Sequence, residues 1–179
     1  MAADLKDLYE RASIWTASKV GGAEDQLDAP TPCDKWDVRT LVNHMIDTQE
    51  FFTGSAKGED VSFPADPPPE RIGDDPTGTF RAACAETART FGEPGVIEKT
   101  GPSLGIAFSD QLLHGWDLAK ATGQDTTMPD GLAEAAYEMV HGKFTDEQRK
   151  GVFAPELTVD VDASDEDRLL AYTGRNPTS

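Results

Sequence analysis

Residues 109–123, SDQLLHGWDLAKATG, read as one amphipathic helix closing on a glycine. Asp110 and His114 are four apart, which stacks their side chains on one helix face, a turn from each other. A carboxylate and an imidazole converging in this way can hold a divalent metal if a third ligand arrives from elsewhere. His44, inside the apolar helical stretch 38–52, is the candidate. The expectation is therefore an all-α chain, a helical bundle built round His44, Asp110 and His114.

Composition bounds what such a bundle can do. The chain has 179 residues, 37% of them hydrophobic, which fits a single domain over 1–179 with a proper core. It contains no run of about 18 apolar residues, so no membrane span is expected. The start, MAADLKDLYERA, is charged and periodic and lacks the apolar core of a signal peptide, so a cytoplasmic location is expected. Cys33 and Cys84 then read as free thiols and not as a disulfide. The net charge of −17 repels phosphate backbones and anionic membranes, so nucleic acid and lipid surfaces are not expected partners. The same charge is also what solubility alone would select.

Taken from the start, residues 3–20 form the first predicted helix, with Leu5, Leu8, Ala12 and Trp15 at spacings of three and four, ending at Gly21-Gly22. The prolines of residues 30–36, PTPCDKW, forbid helix there. Asp37 is the predicted N-cap of a second helix over 38–56, whose stripe Leu41, His44, Met45, Thr48, Phe52 points His44 into the bundle. Taken alone, His44 also fits a hydrogen-bonded core histidine. Residues 58–75 are a long proline-rich surface connection, of a length that is often functional. Asp75-Pro76 starts a third helix, to about 91, with Cys84 on its apolar stripe as a small buried hydrophobe. Residues 96–102 read as an irregular link, and 104–122 as the fourth helix with Gly123 closing it. Further on, 131–140 is helical with His141 at its negative pole. Short helices are expected at 146–150 and 164–172, the latter capped by Ser164. Residues 157–161 alternate like a strand but have no partner.

Three pieces resemble the actinobacterial branch of the DinB/YfiT-like superfamily, near the metal-binding domain of mycothiol-dependent maleylpyruvate isomerase. They are TPCDKWDVRTLVNHM (31–45), LLHGWDLAKATGQ (112–124) and DRLLAYTGRNP (167–177). The resemblance implies a DinB-like four-helix bundle with additional short C-terminal helices, and a divalent metal held by three side chains inside one end of it. The family's ligands fall on His44, Asp110 and His114. The isomerase pattern has Glu where this chain has Asp110, one methylene shorter. That leaves direct ligation, ligation through water and a degenerate site all open. Asp117 is a candidate partner behind His114, or else the cap of a surface turn. The metal-free alternative is a buried hydrogen-bond network of His44, Asp110 and His114.

Two His and one carboxylate leave positions for water or a substrate thiol. The expected ion is zinc, with nickel and iron also compatible. By resemblance the leading function is a thiol-dependent transferase, using mycothiol or a similar small thiol as cosubstrate against an electrophile such as an epoxide, an activated alkene or a halide. The metal would lower the thiol pKa. The rival is a non-catalytic metal- or ligand-binding bundle. Maleylpyruvate isomerisation itself is not expected, because the isomerase carries an extra C-terminal domain and this sequence stops soon after Pro177. No catalytic or substrate-binding residue is singled out. Cys33 reads either as a turn residue packing under Trp36 or as a thiol activated by the start of the second helix. A homodimer through helix faces is the expected assembly.

Overall fold

Apolar residues at helical spacing become helices, and the computed structural model describes them over residues 4–150 and 152–177. In chain order they are α1 (Leu5–Ala23), α2 (Val38–Lys57), α3 (Pro76–Phe91), α4 (Val96–Thr100), α5 (Ser103–Ala121), α6 (Leu132–Val140), α7 (Asp146–Arg149) and α8 (Asp165–Tyr172). No strand occurs among the described residues; one isolated bridge joins Pro30 and Asp37. The fold is all-α. The chain divides into two compact units between Thr127 and Met128.

The first unit is the bundle. α1 packs on α5 and α3, and α2 on α3 and α5, so the order round the bundle is α1–α5–α2–α3. Its core is made by the predicted stripes: Leu8, Ala12, Leu41, Met45, Phe80, Cys84 and Leu118 are all buried. The expected caps form. Asp37 accepts from the Thr40 N–H at 2.8 Å, and Asp75 from Gly78 N–H at 2.8 Å, each satisfying a backbone donor that the first helical turn leaves free. α2 closes on Gly58 at φ 79°, a conformation that costs glycine nothing.

Two expectations fail here. α1 does not stop at Gly21-Gly22 but continues through both to Ala23, followed by a 3-10 turn at Glu24–Gln26. These glycines serve close packing and not termination: a Cβ on Gly21 would lie 3.3 Å from Thr77 Oγ1, and one on Gly22 would run into the Gln124 side chain. The predicted start at Ala3 lies outside the described residues. Residues 96–102 are not an irregular link, because α4 forms there between Gly95 at φ 81° and Gly101 at φ 61°.

Gly115 sets how close α5 comes to α1. A Cβ there would stand 2.7 Å from both Thr16 Oγ1 and Trp15 Cζ3. Alanine normally favours a helix interior over glycine by about 0.5–1 kcal/mol. At this position overpacking outweighs it, and Gly115→Ala is expected to destabilise by about 1–3 kcal/mol in urea unfolding. A stabilised variant would show that α1 gives way freely.

In the second unit α6 packs on α8. Tyr172 is its hub: its hydroxyl accepts from Gly142 N–H at 3.1 Å, and the Arg149 guanidinium lies 4.1 Å over its ring. His141 sits at the end of α6 as expected, 4.7 Å from the Tyr137 ring. Ser164 caps α8 by accepting from Asp167 N–H at 3.1 Å. Residues 157–161 form no ladder; Leu157 N–H donates to Ala171 O, and Val161 is exposed.

Candidate metal centre

The rotation of α5 about its axis decides which side chains face the centre. Gln111 and Gly115, one turn apart, clamp α5 to α1. Gln111 Nε2 donates to Tyr9 O at 3.2 Å, Thr16 Oγ1 donates to Gln111 O at 3.1 Å, and Gly115 permits the approach. One residue back in each case is a step of about 100°. That step carries Asp110 and His114 together off the α1 face and round to His44 on α2.

A second segment closes the flank. Residues 29–37 fold back on themselves, with Trp36 N–H donating to Cys33 O at 2.8 Å, Thr31 Oγ1 to Trp36 O at 2.7 Å, and Val38 N–H to Ala29 O at 3.0 Å. The fold-back delivers Trp36 and Cys33 to the start of α2. The Trp36 ring centroid lies 4.6 Å from that of His44 and 6.3 Å from that of His114. Its Nε1–H donates to Asp66 Oδ1 at 3.2 Å, tying the proline-rich loop beside the centre.

The structure brings His44, Asp110 and His114 together. Asp110 Oδ1 is 3.8 Å from His44 Nε2 and 3.5 Å from His114 Nε2, and the two imidazoles meet edge to face at 5.1 Å. The shorter acidic side chain therefore still reaches both histidines. These spacings exceed the roughly 2.7–3.2 Å of N–H···O hydrogen bonds. They lie near the edges, about 3.3–3.5 Å, of a tetrahedron whose N and O ligands stand about 2.0–2.2 Å from a zinc ion. The three side chains are 16%, 24% and 12% exposed, so a small ligand can reach them. His44 Nδ1, on the far side of the ring from Asp110, is buried with no hydrogen-bond partner among the described residues. The spacings and the donor set are compatible with a divalent ion held by His44 Nε2, His114 Nε2 and Asp110, with Thr48 Oγ1 3.4 Å from the same His44 nitrogen. Burial pushes the His44 pKa down, but Asp110, helped by Asp47 and Asp66, outweighs burial and holds it above the usual imidazole value.

Asp117 does not cap a surface turn. It is fully buried, and its Oδ2 lies 2.9 Å from His114 Nδ1, the place of a carboxylate that fixes a ligating imidazole's tautomer and orientation. Cys33 donates to the same Oδ2 at 3.5 Å. Cys84 belongs to neither group of candidate ligands and donates to Gln111 Oε1 at 3.5 Å, and burial pushes its thiol up to about 12, which makes it inert. Sequence reasoning missed Trp36 as a wall of the centre, Asp66 as its tie, and the contact of Cys33 with Asp117. All three depend on how two loops fold over α2, for which no periodicity exists.

The geometry agrees with what comparison with known proteins shows. The chain belongs to the family of the mycothiol maleylpyruvate isomerase N-terminal domain, whose profile matches residues 11–119, in the DinB-like superfamily. It is similar to two uncharacterized proteins of Mycobacterium tuberculosis, MT0763 of strain CDC 1551 / Oshkosh and Rv0738 of strain H37Rv. Each is 30% identical over 165 residues, 84% of this chain and 86% of theirs. No solved structure matches it. No helix among the described residues is long and apolar enough to cross a membrane.

Proposed function

We propose that the protein is a cytoplasmic, metal-dependent thiol transferase, which joins a low-molecular-weight thiol of the mycothiol type to an electrophilic carbon. The observation that carries this reading is the spacing of Asp110 Oδ1 from two imidazole Nε2 atoms, 3.5 and 3.8 Å, on partly exposed side chains of a bundle from a mycothiol-linked family. His44, Asp110 and His114 would hold one divalent ion, zinc, nickel or iron. When bound, such an ion supplies Lewis acidity that lowers the pKa of a coordinated thiol. Asp117 keeps the His114 proton on Nδ1 and so keeps its Nε2 lone pair turned inward. Trp36 shields one side of His44 from water, and Asp66 holds the indole there.

The test is thiol consumption by zinc-loaded protein with a generic epoxide or aryl halide. Turnover is expected to need both thiol and ion and to fall at least about 100-fold in His114→Ala, about 2.7 kcal/mol of transition-state stabilisation. Ion binding with no thiol-dependent turnover would overturn the transferase and leave a non-catalytic metal-binding bundle.

A further inference from the structure

We propose that Cys33, His114 Nδ1 and Asp117 form a second, sulfur-bearing ion site, which takes a thiophilic divalent cation such as cadmium or zinc. The two candidate ligand trios share His114 through opposite ring nitrogens. Nε2 faces Asp110, and Nδ1 faces Asp117. The new site does not need the first to be loaded.

Four observations support it. Asp117 is a fully buried carboxylate, which is costly unless it meets a cation or strong donors. Two of its partners are a thiol and an imidazole, and each of these can exchange a proton for a metal. The Sγ–Oδ2 separation of 3.5 Å also matches the S–O edge, about 3.6 Å, of a tetrahedral zinc site. The Nδ1–Oδ2 separation of 2.9 Å is a hydrogen bond, and it would open by about 0.5 Å when an ion replaces the proton. The trio also has a route to solvent, because Cys33 is half-buried in a turn whose neighbours Asp34 and Lys35 are exposed. Sulfur sets the choice of ion. The first trio offers two nitrogens and an oxygen, whereas a thiolate favours soft cations.

The proton balance follows. With the first trio empty, the His114 proton moves to Nε2, the ion binds Nδ1, and the Cys33 thiol releases one proton to solvent. With an ion already on Nε2 the Nδ1 proton has to leave as well, so two protons are released and the sites oppose each other at neutral pH.

Metal-free, untagged protein titrated with cadmium tests this. The readout is the ultraviolet thiolate-to-cadmium charge-transfer band, together with the protons released. The band is expected in the wild type, in Cys84→Ala and in His44→Gln. It should be lost in Cys33→Ser, which keeps nickel at the first trio. Cadmium should also slow alkylation of Cys33 at least tenfold. No band in the wild type, or a band that survives in Cys33→Ser, overturns the site. Nickel uptake by Cys33→Ser reports on the first trio separately, so failure of the two sites can be told apart.

Discussion

Elemental analysis of untagged protein reconstituted with nickel is expected to find about one ion per chain, and none in His44→Ala or His114→Ala. Each of these removes one of three ligands and leaves a carboxylate facing a gap. Asp117→Asn should keep the ion but bind it about 10–100-fold more weakly, because it acts through His114. The metal-free hydrogen-bond network makes the opposite pH prediction. Without an ion, the His44 pKa is raised above its unfolded value by Asp110, Asp47 and Asp66 against the cost of burial. A raised imidazole contributes stability that is complete below the unfolded pKa, about 6.5, and is lost as pH rises through the higher folded value. Ion binding needs neutral imidazoles, so its stabilisation grows over the same interval. The melting-temperature gap between wild type and His44→Ala should therefore shrink as pH rises above about 6.5 without metal and widen with it. At a nickel concentration about 100 times Kd the ion should add about 2.7 kcal/mol. No uptake of nickel or zinc by the wild type, with the gap shrinking in both series, would leave the polar network as the correct reading.

How far the centre could be read in advance divides by physical cause. Asp110 and His114 were legible because helical spacing alone places them on one face, and the stripe on α2 turned His44 inward in the same way. Asp37, Asp75 and Ser164 were legible as caps because capping is chemistry confined to one turn. Gly21-Gly22 misled because glycine serves two purposes, ending helices and letting neighbours approach, and only the positions of Thr77 and Gln124 decide between them. Asp117 stayed ambiguous because its burial depends on the fold-back of residues 29–37, which brings Cys33 to it from 84 residues away in sequence. The tie from Asp66 to Trp36 depends on the path of a loop with no repeating pattern.

That loop supplies the largest expected loss of stability. Asn43, next to His44 on α2, is 4% exposed and holds the loop's far end by three bonds. Its Oδ1 accepts from Arg71 N–H at 2.5 Å and Ile72 N–H at 3.0 Å, and its Nδ2 donates to Glu70 Oε2 at 3.3 Å. Ile72 is itself fully buried, so its N–H has no water to turn to when the acceptor is removed. Leaving a buried donor unsatisfied costs about 1–3 kcal/mol. The buried Ile72 N–H is orphaned and the bond to the exposed Arg71 is lost, so Asn43→Ala should lose about 2–4 kcal/mol, a large part of the roughly 5–15 kcal/mol that holds a domain folded. Asn43→Asp keeps the acceptor and sets a carboxylate beside Glu70, so its loss should be smaller, about 1 kcal/mol. The ion pairs of Arg71 with Asp47 and Glu50, at 2.9 and 3.3 Å, run over a side chain 38% exposed, and Arg71→Ala should cost about 1 kcal/mol or less. Urea unfolding ranks the three variants. Limited proteolysis locates the effect: cleavage of Asn43→Ala within residues 58–75 should precede global unfolding. A loss below about 1 kcal/mol, or cleavage elsewhere first, would mean that the loop is held by the packing of Ile72 and not by Asn43. If the loop does come free, Asp66 leaves Trp36 with it. The indole then loses its tie beside His44, and nickel affinity should fall in Asn43→Ala although no ligand has been touched.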